Sequence, residues 1–234
     1  FLGPGSVADY ILTGSWAKKA VCEAQQFGQV HIAATTEQEE FSRVPRAEEL
    51  DLTPAAAYLH VTSNNTIVGS QWPELPSAAG VPLVVDASSD LFCRPLDMTG
   101  LGLLYAGAQK NLGPAGATLV IIREDLAERS PDSLPTMLRY DVAAKHASRY
   151  NTPPVFTIYL AGLVMRWLLD FGGLVQMEAQ NRRKAKLLYS AIDRTDFYRC
   201  PVQTGSRSLM NVTFRLPSEE LEERFVAEAD QAGL

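Results

Sequence analysis

The stretch "LLYAGAQKNLGPAG", from Leu103 to Gly116, decides how the rest of the chain is interpreted. It begins as a continuous apolar run, which is typical of a strand buried on both faces of a sheet. It ends in glycine and proline residues, which turn the chain back. A single lysine, Lys110, stands where the strand meets the turn. This charge lies either in a solvated loop or in a site at the carboxyl end of the strand.

Strands and helices alternate around this stretch. Residues 15–28 have a helical pattern, with Ser15 as the expected N-cap and Gly28 at the end. Four further segments are typical of strands: "QVHIAAT" (29–35), "AAAYLHVTSNN" (55–65), "PLVVDASSD" (82–90) and "GATLVIIRE" (116–124). Because these runs are almost continuously apolar, they predict an α/β fold whose parallel or mixed sheet is covered by helices.

The chain changes character after Pro153. An apolar helix is expected next, ended by a pair of glycines. It is followed by an amphipathic helix with a basic face, a strand of alternating pattern and an acidic helix. In order, these four segments are 156–171, 174–193, 208–216 and 218–233.

The domain organisation follows from this change. We predict a boundary near Gly172, with a large domain over residues 1–172 and a small domain over 173–234. The first residues, "FLGPGSVADYILTGS", have the character of mid-domain sequence, and the chain stops just after the acidic helix. We therefore expect both domains to be incomplete, with sequence missing at both ends.

Composition excludes several classes of protein. The chain has 234 residues, a net charge of −6 and a pI of about 5.2, and no basic block argues for nucleic acid. The longest apolar run is interrupted by Arg166 and Asp170, so no membrane span is expected. The three cysteines are scattered and have no metal-ligand spacing. They predict reduced thiols in a cytoplasmic protein without a metal site.

Polar residues follow three of the predicted strands. Thr66 closes the polar run after the predicted strand 55–65, and Asp86 lies at the end of the apolar run in 82–90. Gln109 and Lys110 follow the strand of the opening stretch. A carboxylate and a lysine at neighbouring strand ends can form an ion pair at the rim of the sheet. They also suit a pyridoxal phosphate site, where the lysine forms a Schiff base and the carboxylate pairs with the ring nitrogen. In that site Trp16 could stack on the ring and Thr66 could supply a hydroxyl.

Five segments resemble the phosphoserine aminotransferase family, whose members are fold-type I, class V pyridoxal phosphate enzymes. They are "GSWAKKA", "VTSNNTIVGSQW", "DASSDLFCRPLD", "YAGAQKNLGPAG" and "YNTPPVFTIYLAGLVMRWL". They occur in the family's order over roughly residues 14–170, and the combination of "AGAQKNLGPAG" with "NTPP" is specific.

The resemblance implies roles for particular residues. Lys110 corresponds to the lysine that holds the cofactor, and Asp86 to the acid at the ring nitrogen. Trp16 corresponds to the stacking residue, Thr66 to the hydroxyl near the ring oxygen and Gln109 to a phosphate ligand. The implied reaction is transamination between glutamate and 3-phosphohydroxypyruvate, which gives phosphoserine and 2-oxoglutarate in serine synthesis. A related step in vitamin B6 synthesis is a further possibility for the family.

The "NTPP" segment carries an implied homodimer. In the family, the residues matching Asn151 and Thr152 reach the cofactor phosphate of the partner subunit. The residues alone leave another interpretation open, in which Thr152 caps a helix that has Pro153 at its first position. Likewise, His146 and Arg149 lie either in a solvated loop or near an anionic substrate at the dimer seam.

The residues that the family uses for the substrate phosphate and carboxylate lie in segments that this sequence does not include. Substrate specificity therefore rests on the resemblance. Two alternatives remain: another class V aminotransferase, such as a serine–glyoxylate or alanine–glyoxylate enzyme, and a non-catalytic fragment that keeps the fold. A cysteine desulfurase is disfavoured because Cys93 has no reason to reach the cofactor.

Overall fold

A six-stranded sheet forms the centre of the computed structural model, which describes all residues, 1–234. The chain has eight strands: β1 (Val7–Leu12), β2 (Gln29–Thr35), β3 (Leu59–Thr62), β4 (Asn64–Asn65), β5 (Ser70–Gln71), β6 (Leu83–Asp86), β7 (Leu101–Gly107) and β8 (Thr118–Ile122). The order in the main sheet is β2-β1-β3-β6-β7-β8, while β4 and β5 form a small antiparallel pair.

All neighbouring strands of the main sheet are parallel except β7 and β8, which are antiparallel. The opening stretch contains most of β7 and nearly all of the connection from β7 to β8. β2 and β8 form the edges of the sheet. Ile121 of β8 is 41% exposed although its strand is almost wholly apolar. The prediction of a mostly parallel α/β sheet is confirmed.

Alternation along the strands gives the sheet two different faces. One face contributes Ile11, Val61, Val85 and Leu104 to the main hydrophobic core, which also contains Ala161 from a C-terminal helix. The other face carries Tyr10 and forms a smaller cluster with residues of the first helix. The same face includes His60 and Tyr105, one residue removed from the core positions.

The helices are α1 (Ser15–Ala24), α2 (Glu124–Ala127), α3 (Tyr140–Lys145), α4 (Val155–Asp170), α5 (Gly173–Ile192) and α6 (Glu219–Gln231). Four single turns of 3₁₀ helix occur at Glu37–Glu39, Ala47–Glu49, Thr136–Leu138 and Thr204–Ser206. The predicted acidic helix is confirmed as α6, whose N-cap Ser218 accepts a hydrogen bond from the Leu221 amide.

The break between α4 and α5 falls at Gly172, which has φ 111°. A left-handed residue ends a helix at little cost when it is glycine. No helix by itself is long and apolar enough to cross a bilayer, and α4 and α5 reach that length and hydropathy only as a pair bent by 84°. Asn181 of α5 donates to the Cys93 carbonyl, which ties α5 to the first part of the chain. The domain boundary at Gly172 stays a prediction.

Two expected helix caps are wrong. Gly14, not Ser15, is the N-cap of α1. A Cβ at position 14 would lie 2.7 Å from Asn65 Oδ1, which accounts for glycine at this position. Thr152 does not cap α4, whose N-cap is Pro154 and whose first residue is Val155. The extended Pro153-Pro154 pair delays the start of the helix.

One expected element is wrong and one strand was missed. The predicted strand over 208–216 does not form, since this segment makes a single isolated bridge, Arg199 with Arg215, and finds no strand to pair with. Helix α3 ends at Lys145, and His146 and Arg149 follow it in an exposed turn, as the solvated-loop interpretation expected. Strand β1 was not expected, because the buried Asp9 interrupts its apolar pattern. Asp9 is satisfied by the Thr53 amide and the His31 ring.

Candidate active site

The candidate site lies at the carboxyl ends of β6 and β7. These two strands are neighbours, and Asp86 pairs in register with Tyr105, so the predicted adjacency is confirmed. Asp86 is the last residue of β6, while Lys110 follows β7 by three residues in the turn toward β8. The side chain of Lys110 is exposed and its amine makes no salt bridge or hydrogen bond. The rim ion pair with Asp86, the simplest alternative, does not form.

Trp16 connects α1 to this turn. The Lys110 Nζ lies 5.5 Å from the centroid of the Trp16 ring, and Trp16 Nε1 donates to Thr66 Oγ1 at 3.2 Å. Trp16 is 43% exposed, so one surface of the indole is open to solvent. Three of the residues predicted from sequence are thus brought together from three separate segments. A second lysine, Lys19, also lies over the Trp16 ring, at 4.6 Å.

The loop after β6 holds Asp86 in place. Asp86 Oδ1 accepts a hydrogen bond from the Ser88 amide at 2.9 Å. The Ser88 hydroxyl in turn accepts from the Gly107 amide at 3.2 Å, which fastens this loop to the end of β7. On the neighbouring strand, Thr62 pairs in register with Asp86, and its buried hydroxyl has no hydrogen-bond partner.

Small residues at the end of β7 let the chain turn closely. A Cβ at Gly107 would lie 2.5 Å from Oε1 of Gln109, so the Gln109 side chain folds back over the glycine. Gln109 is exposed and lies next to Lys110. Gln109, the predicted phosphate ligand, therefore lies at the exposed edge of the candidate site, and its side-chain amide is free to donate a hydrogen bond.

The N-terminus of α1 faces the same end of the sheet. Helix α1 begins two residues after β1, has no side-chain cap and has no acidic residue in its first turn. Its first amide groups have no partner within the helix, and such a terminus favours an anion. Ser15 is the first residue of the helix, so its amide is among these donors.

Asn151 and Thr152 do not join the cluster in this chain. Both are exposed, and the Asn151 side-chain amide donates to Met137 Sδ at 3.0 Å. His146 is also exposed and packs its ring edge-on against Tyr150 at 5.0 Å. The structure of one chain therefore neither brings these residues to Lys110 nor tests the predicted contact with a partner subunit.

Sequence reasoning assigned no role to two aromatic residues of the site. His60 Nε2 and the Tyr105 hydroxyl lie 3.0 Å apart, and the imidazole stacks on Tyr10 at 4.7 Å between centroids. Burial lowers the pKa of His60 to about 4, although the charge of Asp86 opposes this. Burial, then the charge of Asp86 and a hydrogen bond to it, raises the pKa of Tyr105. Positions 60 and 105 each lie in runs that resemble plain core strands, so only the register of the folded sheet links them to Asp86.

Cys93 is a poor nucleophile in this fold. The side chain is buried, and burial together with the nearby Asp90 raises the pKa of its thiol to about 12. A catalytic cysteine requires a thiolate near neutral pH. This agrees with the expectation that disfavoured desulfurase chemistry.

The residues present fit the predicted pyridoxal phosphate. The Lys110 amine is unpaired, and the exposed indole of Trp16 lies beside it. The carboxylate of Asp86 stands on the adjacent strand, with the unpartnered Thr62 hydroxyl at its side. The uncapped start of α1 offers amide donors for a phosphate group.

Comparison with known proteins identifies the class to which this fold and site belong. Residues 1–233 match the family model described as aminotransferase class-V, and the chain belongs to this family. The chain is 53% identical over 235 residues to phosphoserine aminotransferase from Herpetosiphon aurantiacus, covering all of this chain.

Two solved structures share the fold closely. Phosphoserine aminotransferase from Bacillus circulans subsp. alkalophilus superimposes with a TM-score of 0.96 at 52% identity, over 98% of this chain and 64% of that one. The pyridoxal phosphate-bound phosphoserine aminotransferase from Trichomonas vaginalis gives 0.91 at 33% identity, over 99% and 67%. The prediction of a fold-type I α/β architecture is confirmed.

The chain spans 65% of the length of the Herpetosiphon relative. The expectation that family sequence is missing agrees with this share.

Proposed function

We propose that this chain is the larger part of a phosphoserine aminotransferase that binds pyridoxal phosphate. Its reaction transfers the amino group of glutamate to 3-phosphohydroxypyruvate, giving phosphoserine and 2-oxoglutarate. One observation carries the proposal: an unpaired lysine, Lys110, lies beside the open ring of Trp16, with Asp86 on the adjacent strand. The names of relatives at 52–53% identity support the choice of substrates.

The chemistry divides between the cofactor and the chain. When bound, pyridoxal phosphate supplies an aldehyde that an amine can join and a ring that draws electron density from the substrate. Lys110 holds the cofactor through its amine, and after release the same amine moves the proton from the substrate α-carbon. Its exposure beside a glycine-rich turn leaves the amine room for both tasks.

The other residues bind and orient. Asp86 pairs with the ring nitrogen as a carboxylate, and the Ser88 amide fixes the carboxylate. Trp16 supplies the stacking surface, and its bond to Thr66 sets the tilt of the indole and keeps the Thr66 hydroxyl at the ring edge. Gln109 and the first amides of α1 bind the phosphate, because both offer N–H donors without a competing acid.

A homodimer forms part of the proposal. Asn151 and Thr152 reach the cofactor phosphate of the partner subunit; both are exposed, and neither joins the cluster around Lys110 in its own chain. Directly after them, α4 exposes a row of large apolar side chains: Phe156, Tyr159, Leu163 and Trp167. Such a contiguous patch on a helix marks an interface. A cytoplasmic location also belongs to the proposal, supported by three unpaired cysteines.

Replacement of Lys110 tests the assignment. The full-length protein should show the visible absorption band of bound pyridoxal phosphate, and Lys110→Ala should lose the band together with activity. Lys19→Ala is the matched control, because Lys19 lies even closer to the Trp16 ring but on α1. An unchanged spectrum in Lys110→Ala, or loss of the band in Lys19→Ala alone, would overturn the proposal.

The substrates need a separate assay. Full-length protein should convert phosphoserine with 2-oxoglutarate as acceptor far faster than serine or alanine with glyoxylate. A preference for glyoxylate would assign the chain to another aminotransferase of class V. Binding of cofactor without turnover of any amino donor would favour the non-catalytic alternative.

A further inference from the structure

Two polar side chains lie beside the carboxylate of Asp86: His60 is buried, while Tyr105, like Asp86, is half-buried. Tyr105 is the cross-strand neighbour of Asp86 on β7, and His60 stands on β3 two residues before Thr62, which pairs with Asp86. His60, Asp86 and Tyr105 therefore share one face of the sheet. The nitrogen Nε2 of His60 lies 3.0 Å from the Tyr105 hydroxyl. None of these contacts involves Lys110 or Trp16.

The position of the protons on these side chains follows from the surroundings. A carboxylate only accepts, so a Tyr105 hydroxyl that bonds to its cross-strand neighbour Asp86 must donate, and its oxygen then accepts from its other neighbour, His60. This requires the neutral tautomer of His60 with hydrogen on Nε2. Nδ1 of the same ring is buried without a partner. An unprotonated Nδ1 without a partner costs less free energy than a buried N–H without an acceptor. Both arguments therefore select the tautomer of His60 with hydrogen on Nε2.

The apolar surroundings reinforce this arrangement. His60 is 3% exposed and lies between Tyr10 and Tyr105, and these rings line a cavity whose walls are mostly apolar. Hydrogen bonds to an ionised group in such a site are stronger than neutral ones.

We propose that His60 and Tyr105 are positioning residues that act through Asp86. His60 donates from Nε2 to the Tyr105 hydroxyl, and Tyr105 donates to the Asp86 carboxylate. This fixes the orientation of the Asp86 carboxylate, which pairs with the ring nitrogen of the cofactor. The inference rests on the proposed function, because it assigns the chain of donors to that same cofactor.

The first test needs no cofactor. Nitrogen-15 correlation spectra of the imidazoles resolve the tautomer of each of the three histidines. In the cofactor-free protein, His60 should be the Nε2–H tautomer, and Asp86→Asn and Tyr105→Phe should each shift it toward a mixture. Tyr58→Phe is the control, because Tyr58 bonds the Tyr10 hydroxyl at 2.9 Å on the same face but does not contact Asp86. An Nδ1–H tautomer, or a signal indifferent to Tyr105→Phe, overturns the proposal.

The second test measures cofactor binding by the visible band. Tyr105→Phe should weaken the binding of pyridoxal phosphate about tenfold, as expected for loss of a hydrogen bond to a charged group. Tyr58→Phe should bind as the parent does. His60→Gln keeps a donor and should retain more affinity than His60→Leu, which removes it. If Tyr105→Phe binds like the parent, this inference is wrong; if the parent itself binds no pyridoxal phosphate, the proposed function fails first.

Discussion

At the residue scale, His60 shows how burial and charge act on one group. Its ring is buried within the sheet, and burial lowers its pKa to about 4 despite the opposing charge of Asp86. The ring is consequently neutral through the physiological range, so it carries a single N–H and can donate to Tyr105 from Nε2 while Nδ1 stays unprotonated. A histidine with an ordinary pKa would be partly protonated near pH 6 and would then carry a proton on both nitrogens.

The lowered pKa predicts a dependence of stability on pH. The unfolded chain takes up a proton near pH 6.5, whereas the folded chain does so near pH 4, so stability falls as the pH drops through this window. The loss attributable to His60 is on the order of 3 kcal/mol by pH 4. Urea unfolding between pH 4 and 8 measures it.

The comparison that isolates His60 uses two variants. His60→Gln should flatten the dependence of the unfolding free energy on pH in this window. His146→Gln, which alters an exposed ring, should leave that dependence unchanged. If His60→Gln has the same slope as the parent, His60 is not protonated on unfolding in this window, and the assignment of a neutral buried ring fails.

At the scale of single elements, the start of α1 depends on a contact at Gly14. A Cβ at this position would lie 2.7 Å from Asn65 Oδ1, and Asn65 is itself buried and donates to Thr13 Oγ1. The backbone of Gly14 is extended, so the requirement comes from the neighbouring side chain and not from its own torsion angles. This contact aligns the β3–β4 segment with the helix terminus that faces the site.

Gly14→Ala should therefore lower stability by about 1–3 kcal/mol through overpacking. It should also weaken binding of phosphate-bearing cofactor, since the first turn of α1 must move. Gly162→Ala is the contrasting change, because a Cβ there meets no atom within 4 Å inside α4. It should stabilise the protein by about 1 kcal/mol. Thermal unfolding measures the stability of both variants, and titration with pyridoxal phosphate measures their cofactor binding. If Gly14→Ala and Gly162→Ala changed stability equally, the contact between Gly14 and Asn65 would not be what requires glycine at position 14.

Some elements could be predicted from sequence and others could not. Strand β7 with Lys110 behind it was predictable, since a continuous apolar run followed by Gly and Pro has few other interpretations. Strand β1 was not, because the charge of Asp9 is compensated by Thr53 and His31 from distant segments. The segment 208–216 has the alternation of a strand but no partner strand, which alternation cannot reveal.

The candidate site was predictable to the same extent. Asp86, Lys110, Trp16 and Thr66 were found from strand ends and from the family resemblance. The contribution of His60 and Tyr105 depends on the register of three strands. No single segment carries that information, so these residues become visible only in the folded sheet.

At the scale of the whole molecule, α4 has no cover for much of its surface. Phe156 is 71% exposed and Tyr159 is 62% exposed, and both follow directly on the Asn151 and Thr152 pair. Burial of each large side chain at an interface is worth about 1.5–3 kcal/mol. A second copy of the chain covers this surface in the proposed dimer and receives the two polar residues at its cofactor phosphate.

Phe156→Asp should therefore convert the dimer to a monomer and weaken cofactor retention at the same protein concentration. Leu187→Asp is the matched control, because Leu187 is equally exposed but lies on the basic face of α5. Sedimentation velocity of the full-length protein gives the oligomeric state. A Phe156→Asp variant that stays dimeric with full cofactor would contradict the assignment of α4 to the interface.

The antiparallel strand β8 closes the sheet on one side and has a further consequence. Its outer row of amide and carbonyl groups has no neighbour in the 234-residue chain, and its apolar residues are partly uncovered. An unprotected row of this kind is a template for adding another strand, either from the same protein or from a misfolded copy. Produced alone, this stretch of sequence is expected to collect in inclusion bodies, and a charged residue in place of Ile121 would act as a gatekeeper against such aggregation.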